Sequence, residues 1–144
     1  MIRPTRRAAA AMLAAALAAG PAAAQLDITV TGGAFEPIPI AIPTFLGDTP
    51  EAEAAARDVT EVLVADLERS GLFRPLPREA YVQTLETIDE TPDFSAWRAI
   101  NADALVVGDA RLQGDGRLRV RFRLYDPAAG EQLEGLQFFV DPAA

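Results

Sequence analysis

Residues 104–124 read ALVVGDARLQGDGRLRVRFRL, and this stretch decides the fold. The run Ala104–Gly108 is continuously apolar, which is typical of a central strand covered on both faces. Gly114-Asp115-Gly116 is a hairpin signal, so the chain should return antiparallel to that strand. Leu118–Leu124 then alternates apolar residues with arginines, and a period of two predicts a strand with one apolar and one polar face.

The meander continues beyond this strand. Pro127-Ala128-Ala129-Gly130 supplies the next turn, and Leu136, Phe138 and Val140 mark a last strand. The polar face of the preceding strand is a row of four arginines: Arg117, Arg119, Arg121 and Arg123. Such a row could form an anion groove. We interpret it instead as the solvent-facing side of the sheet, because no aromatic stacking partner is expected beside it.

A helix precedes the meander. Thr49-Pro50-Glu51 combines a hydroxyl N-cap, a proline at the first helical position and an acid near the positive end of the helix dipole. Ser70-Gly71 should end the helix, with the glycine in the left-handed conformation. Between them, apolar residues at spacings of three and four predict a stripe packed on a sheet: Val59, Val62, Leu63 and Leu67.

Extended segments flank this helix. Ile38–Phe45 alternates isoleucines with prolines, and each proline removes a backbone donor, so the first half of this strand should bond through one edge only. Leu72–Pro77 is expected to be an edge strand at best for the same reason. The polar stretch Gln83–Asp93 predicts a surface loop. Its acids favour a solvated face over a metal site: Glu86, Asp89, Glu90 and Asp93.

A second helix is expected after this loop. Thr91-Pro92-Asp93 repeats the cap, proline and acid signature, and Asn101 should end the helix with a positive φ. The predicted fold class is α/β (α+β), with a mixed β-sheet of about five strands packed against two helices. This domain should occupy residues 37–144.

The N-terminal residues have the pattern of a targeting segment rather than of the folded domain. Residues 1–24 combine a basic start, the apolar run Ala8–Ala19 and small residues before Gln25, the pattern of a secretory signal peptide. The apolar run is short of the roughly 20 residues that a bilayer-spanning helix needs. No membrane insertion is therefore expected after signal cleavage. Residues 25–36 then form a short alternating strand and a Gly32-Gly33 hinge.

Composition excludes several functions. The chain has no histidine and no cysteine, and all 13 of its basic residues are arginine. It therefore has no Ser/His/Asp triad, no thiolate or imidazole metal site and no disulfide. A net charge of −8 argues against a nucleic-acid partner. Carboxylate pairs could still support glycosidase-like chemistry, but no motif singles out a pair. We expect no enzyme activity, no metal and no cofactor.

Four segments resemble the amino-terminal domain of the TolB family: Leu26–Gly33, Pro39–Phe45, Val64–Leu76 and Trp97–Gly108. They cover nearly all of the chain after the signal peptide, in order. The resemblance implies a periplasmic protein-interaction domain of the Tol–Pal envelope system, which supports outer-membrane integrity and cell division. The family continues into a further helix and a β-propeller, whereas this chain has no repeat of propeller-blade length. Binding to the lipoprotein Pal is therefore not expected.

The resemblance also implies a partner site. In TolB-like proteins the extreme N-terminus is associated with TolA, and the matching residues here are Gln25, Leu26, Asp27, Ile28, Thr29, Val30 and Thr31. A short alternating strand before a glycine hinge is suited to strand addition at another protein's sheet edge. The same strand could instead pair with the domain's own sheet. The alternative function is an exported small-ligand or glycan-binding domain unrelated to the Tol system.

Overall fold

The structure is a computed structural model that describes residues 35–141. Its sheet is organised around β4, the strand predicted at residues 104–108, which extends over Ala104–Leu112. Every residue of β4 as far as Ala110 is buried. The prediction of a central strand covered on both faces is confirmed.

Within residues 35–141, six strands form one mixed sheet. The other five are β1 (Ile38–Ala41), β2 (Leu46–Gly47), β3 (Phe73–Pro75), β5 (Leu118–Asp126) and β6 (Glu131–Val140). The order across the sheet is β3-β1-β4-β5-β6, with β2 also paired to β4. Strands β1 to β4 pair parallel, and β4, β5 and β6 pair antiparallel. The predicted α/β fold with a mixed sheet is confirmed, and β3 is an edge strand as expected.

The proline-rich β1 is paired on both sides for only part of its length. It pairs with β3 from Ile38 onward, but with β4 only from Ile40. The first half is therefore in register with β3 alone, as predicted. One contact departs from the prediction, because the Pro39 carbonyl accepts a hydrogen bond from the Asp103 N–H at 2.9 Å. Proline lacks only the donor, so its carbonyl remains available to β4.

Only the first half of the extended run predicted over residues 38–45 is a strand, because the chain leaves the edge of β4 after Ala41 and pairs with it again only at β2, just beyond that run. Side chains replace the missing strand partners in this break. The Phe45 N–H donates to Thr60 Oγ1 at 2.9 Å, and the Ile42 N–H donates to the Tyr81 hydroxyl at 2.9 Å. β2 then resumes pairing with β4, so both short strands lie along the same edge of β4.

The first helix, α1 (Pro50–Arg69), begins and ends as predicted. Thr49 Oγ1 accepts the Ala52 N–H at 3.1 Å, and Gly71 has a φ of 73°. The most buried helix residues are small, namely Ala52, Ala56 and Thr60. Because these side chains are short, the helix backbone can approach the sheet closely.

The apolar stripe of α1 contains three of the four predicted residues. Val59, Leu63 and Leu67 pack against the core, as expected. Val62 is 61% exposed, so its assignment to the stripe is wrong. On the helical wheel the buried Ala52 and Ala56 interleave with Val59, Leu63 and Leu67, whereas Val62 lies beyond Val59 on the solvent flank of this face.

The second helix, α2 (Phe94–Ala99), has a different cap from the one expected. The Asp93 carboxylate accepts the Ser95 N–H at 3.1 Å, so Asp93 is the N-cap and the prediction of Thr91 is wrong. Aspartate is as good an N-cap as threonine, and here it lies closer to the helix. Asn101 follows the helix with a φ of 63°, which confirms its predicted left-handed conformation.

Two apolar layers lie on opposite faces of the sheet. The layer under α1 includes Ile40, Phe45 and Val120. The opposite face, called the far face below, is covered by α2 and by the segment before it. Its core contains Trp97, which is fully buried, together with Leu85, Ile88, Leu105, Val107 and Tyr125.

The Gln83–Asp93 segment contains no helix or strand, in agreement with the predicted loop. Its side chains are not all on the surface, because Leu85 and Ile88 are buried in the far-face core. The loop therefore acts as part of the covering layer of the sheet.

β6 is the opposite edge strand from β3, and all ten of its residues are exposed. Leu136 and Phe138 face the same side as α1, whereas Phe139 faces the far side beside the arginine row. The predicted strand is confirmed. Within residues 35–141, no helix is long and apolar enough to cross a membrane.

Candidate functional site

The predicted partner-binding residues Gln25, Leu26, Asp27, Ile28, Thr29, Val30 and Thr31 lie outside the described residues. The Gly32-Gly33 hinge and the predicted signal peptide, residues 1–24, lie outside them as well. The first described strand is β1, which is held between β3 and β4. β1 is therefore an interior strand of the sheet rather than an edge strand that a partner strand could extend.

The arginine row lies on the far face, and Arg121 is an integral part of the fold. Its Nε donates to Asp109 Oδ1 at 3.0 Å, and its Nη2 donates to Asp109 Oδ2. Asp109 is only 4% exposed, and its hydrogen bonds raise the pKa of Arg121 above the usual range. The interpretation of Arg121 as a solvent-facing residue is wrong, because Asp109 lies directly opposite it on β4.

Arg123 links the Gln83–Asp93 segment to the sheet through hydrogen bonds. Its Nη1 donates to the Ile88 carbonyl at 2.6 Å, and its Nη2 donates to Asp89 Oδ1 at 3.0 Å. Asp89 is also 3.9 Å from Arg121 Nη1. The predicted solvated acid at this position therefore has a structural role, since it joins the loop to two arginines of β5.

The other two arginines lie towards the β4–β5 hairpin. Arg117 Nε donates to Asp115 Oδ2 at 2.7 Å, and its guanidinium carbon lies 4.7 Å from the centroid of the Phe139 ring. The expectation that no aromatic ring lies beside the row is therefore wrong. Arg119 Nε is buried and has no hydrogen-bond partner among the described residues. Since three of the four arginines bind carboxylates, the row is not an open anion groove.

The remaining acids of the predicted loop also have local partners. Asp93 caps α2, and the Ser95 hydroxyl that it accepts lowers the pKa of Asp93 below its usual value. Glu90 Oε2 accepts the Glu86 N–H at 3.3 Å. Within residues 35–141, no group of three or more acidic, His or Cys residues is placed to hold a metal ion.

Among the concave regions of the described residues, two lie against the apolar layers of the sheet. The first is a cavity of about 310 Å³ on the far face, beside the break between β1 and β2. The second is a groove of about 250 Å³ between α1 and the β5–β6 hairpin, lined entirely by apolar residues that include Leu63, Phe122 and Phe138. Sequence reasoning missed both, because each is built from segments that are distant in sequence and carry no motif.

Comparison with known proteins identifies the family. The model of the TolB amino-terminal domain matches residues 26–133. The chain is 46% identical over 132 residues to the Tol-Pal system protein TolB of Dinoroseobacter shibae. This match covers 88% of the chain and 30% of the relative. The chain therefore spans less than a third of the length of that curated relative.

Solved structures share the fold. TolB from Acinetobacter baumannii matches with a TM-score of 0.58 at 24% identity, over 74% of this chain and 24% of that one. The C-terminal domain of LpoB from Salmonella enterica matches with a TM-score of 0.56 at 14% identity, over 76% of this chain and 87% of that one. At these identities the likeness shows the fold alone. The family match and the close relative together show that this chain belongs to the TolB amino-terminal domain family.

Proposed function

We propose that this domain is a periplasmic protein-interaction module of the Tol–Pal system and that it docks to a TolA-like protein. The observation that carries the proposal is the family match, since residues 26–133 fit the TolB amino-terminal domain and a 46% identical relative is a Tol-Pal system protein. Through this docking the domain would support outer-membrane integrity and cell division.

The docking segment is proposed to be Gln25–Thr31. The family match begins at Leu26, one residue after the predicted mature start at Gln25, which supports treating this segment as part of the working domain. The alternation of apolar and polar residues suits strand addition, in which main-chain hydrogen bonds give affinity and alternate side chains give specificity.

A binding role is compatible with the side-chain chemistry of the chain. The chain contains no histidine, cysteine or lysine. Among its carboxyls, hydrogen bonds lower the pKa values of Asp93 and Asp115 below the usual value. A general acid requires a raised pKa, so neither group is suited to that role at neutral pH.

The proposed segment can be tested with two substitutions at one residue. Ile28→Pro removes a backbone donor and fixes φ, so we expect it to abolish binding to a purified periplasmic TolA domain in calorimetry. Ile28→Val keeps the shape and the strand preference, so it should leave the dissociation constant nearly unchanged. The melting temperature should be the same in both variants if the segment is unpaired before binding.

The same experiment can refute the proposal. If Ile28→Pro lowers the melting temperature strongly while Ile28→Val does not, the segment belongs to the resident sheet, and the docking site must lie elsewhere. Equal TolA binding by both variants would also overturn the proposal.

Export to the periplasm has a separate test. Mass spectrometry of the periplasmic fraction should find a mature chain that begins at Gln25. Recovery of a chain that still begins at Met1 from that fraction would contradict the predicted signal peptide.

A further inference from the structure

The far-face cavity is formed where the strand edge of β4 is interrupted. β1 and β2 both pair with β4, but the chain between them leaves the sheet, and the segment from Arg78 to Ile88 closes over the gap. Three buried aliphatic side chains form the floor: Leu85, Ile88 and Val107. At about 310 Å³ the cavity is at the lower end of the usual range for small-ligand pockets.

The polar groups of the wall are held in place by the fold. The Tyr81 hydroxyl accepts the Ile42 N–H and donates to the Leu76 carbonyl at 3.2 Å. Gln83 Oε1 accepts the indole N–H of Trp97 and the Asp93 N–H, both at 2.9 Å. These contacts use the carbonyl end of Gln83. Its side-chain amide group is therefore held in a fixed orientation with its donors still available.

The charge of this lining is opposite to that of the chain. Acidic residues outnumber basic ones by 21 to 13 overall, yet none of the described residues that line the cavity is Asp or Glu. Its one charged lining residue is Arg78, which is exposed and forms no ion pair with any residue in the range 35–141. A guanidinium without an ion-pair partner can bind an anionic group, and the adjacent apolar floor can bind an alkyl chain. The lining therefore favours an anion that carries an apolar chain.

We propose that this cavity binds a small aliphatic carboxylate, with the carboxylate at Arg78 and the alkyl chain on the Leu85–Ile88–Val107 floor. A sugar fits poorly, because an aliphatic floor leaves its hydroxyl groups without hydrogen-bond partners. This site is independent of the docking segment proposed above. It adds a small-molecule ligand to a domain otherwise assigned to protein interaction.

The test is a titration of the isotope-labelled full chain followed by NMR. Hexanoate should produce saturable shifts of the Val107 and Gly108 amide signals. Hexanamide has the same length but no charge, and should bind about five-fold more weakly, as expected for one solvent-accessible ion pair. Equal affinities for the two probes, or no saturable shift with hexanoate, would overturn the proposal.

Three variants complete the test. Arg78→Gln should reduce hexanoate affinity to that of hexanamide, whereas Arg57→Gln, at an exposed arginine on α1, should leave it unchanged. Thr84→Phe, at an exposed residue of the wall, should fill the cavity and abolish the shifts with both probes. If Arg57→Gln weakens hexanoate binding as much as Arg78→Gln does, the anion is held by general charge and the proposed site is wrong.

Discussion

β4 and β6 lie on either side of β5, and they have nearly the same length, with nine and ten residues. β4 is buried through Ala110, whereas every residue of β6 is exposed. Both strands are rich in apolar residues. The two strands differ in burial because α1, α2 and the Gln83–Asp93 segment cover β4. No described element covers β6. Apolar content therefore identified both strands and the covered environment of β4, but it did not reveal that β6 is exposed along its whole length.

The largest expected difference between the strands is at a leucine. Leu105 in β4 is fully buried, and Leu136 in β6 is 53% exposed. Leu105→Ala should lower the free energy of unfolding by about 3 kcal/mol, because it removes buried methyl groups and leaves a cavity. Leu136→Ala should cost less than about 1 kcal/mol. Urea denaturation measures both, and equal losses would mean that β6 is covered in solution.

Arg121 offers a second comparison, because it lies between the two strands. Its neighbour on β4 is Asp109, and its neighbour on β6 is Gln137. Asp109→Asn should cost about 2–3 kcal/mol, since it removes the carboxylate that binds the Arg121 guanidinium directly and leaves only Asp89, at 3.9 Å. Gln137→Ala should have no measurable effect on the unfolding midpoint. A neutral outcome for Asp109→Asn would show that water can replace the carboxylate.

Each strand also contains one glycine with a different steric requirement. A Cβ at Gly108 in β4 would overlap the Phe45 ring, which is itself buried. Gly108→Ala should therefore destabilise the domain by about 2 kcal/mol through overpacking. At Gly135 in β6 the nearest atom would be Gln132 Nε2 at 2.9 Å, the end of an exposed side chain that can move away. Gly135→Ala should be neutral or slightly stabilising in thermal unfolding.

The smallest effects are expected at the residues that precede the two strands. Asn101 precedes β4 with a φ of 63°, and Gly130 precedes β6 with a φ of 67°. Asn101→Gly should change stability by less than about 0.5 kcal/mol, because glycine adopts this conformation readily. Gly130→Ala should cost about 1 kcal/mol, since an L-residue is strained there. A larger loss for Asn101→Gly would show that the Asn101 side chain makes a necessary contact.

Local chemistry in the sequence predicted much of this fold. Thr49, Gly71 and Asn101 were assigned correctly, because caps and left-handed positions depend on residues close in the chain. The Asp93 cap was misplaced, since two good capping residues lie within the same turn. Val62 was assigned to the wrong side of α1, because spacing defines a stripe but not its exact rotation towards the sheet.

The features that could not be predicted depend on contacts between distant segments. The Asp109–Arg121 pair requires knowledge of the β4–β5 register, which no single strand contains. Leu85 and Ile88 are buried by neighbours from α2 and β4, although their own segment is polar and acidic. The far-face cavity likewise exists only because β1 and β2 separate beside β4. The predicted docking segment, Gln25–Thr31, lies outside the described residues and remains a prediction.

The parallel pairing of β1 with β4 has a consequence for how the chain folds. Ile40 lies beside Ala104, although α1, β3 and α2 all come between them in sequence. Closing such a long loop costs chain entropy before any contact compensates for it, whereas the β4–β5–β6 meander forms from neighbouring segments. We expect the meander to become protected first. Pulse-labelling hydrogen exchange during refolding should therefore detect protection of the β5 amides before protection of the β1 amides. The exposed edge strand of the folded domain, β6, would then belong to the part of the sheet that forms first.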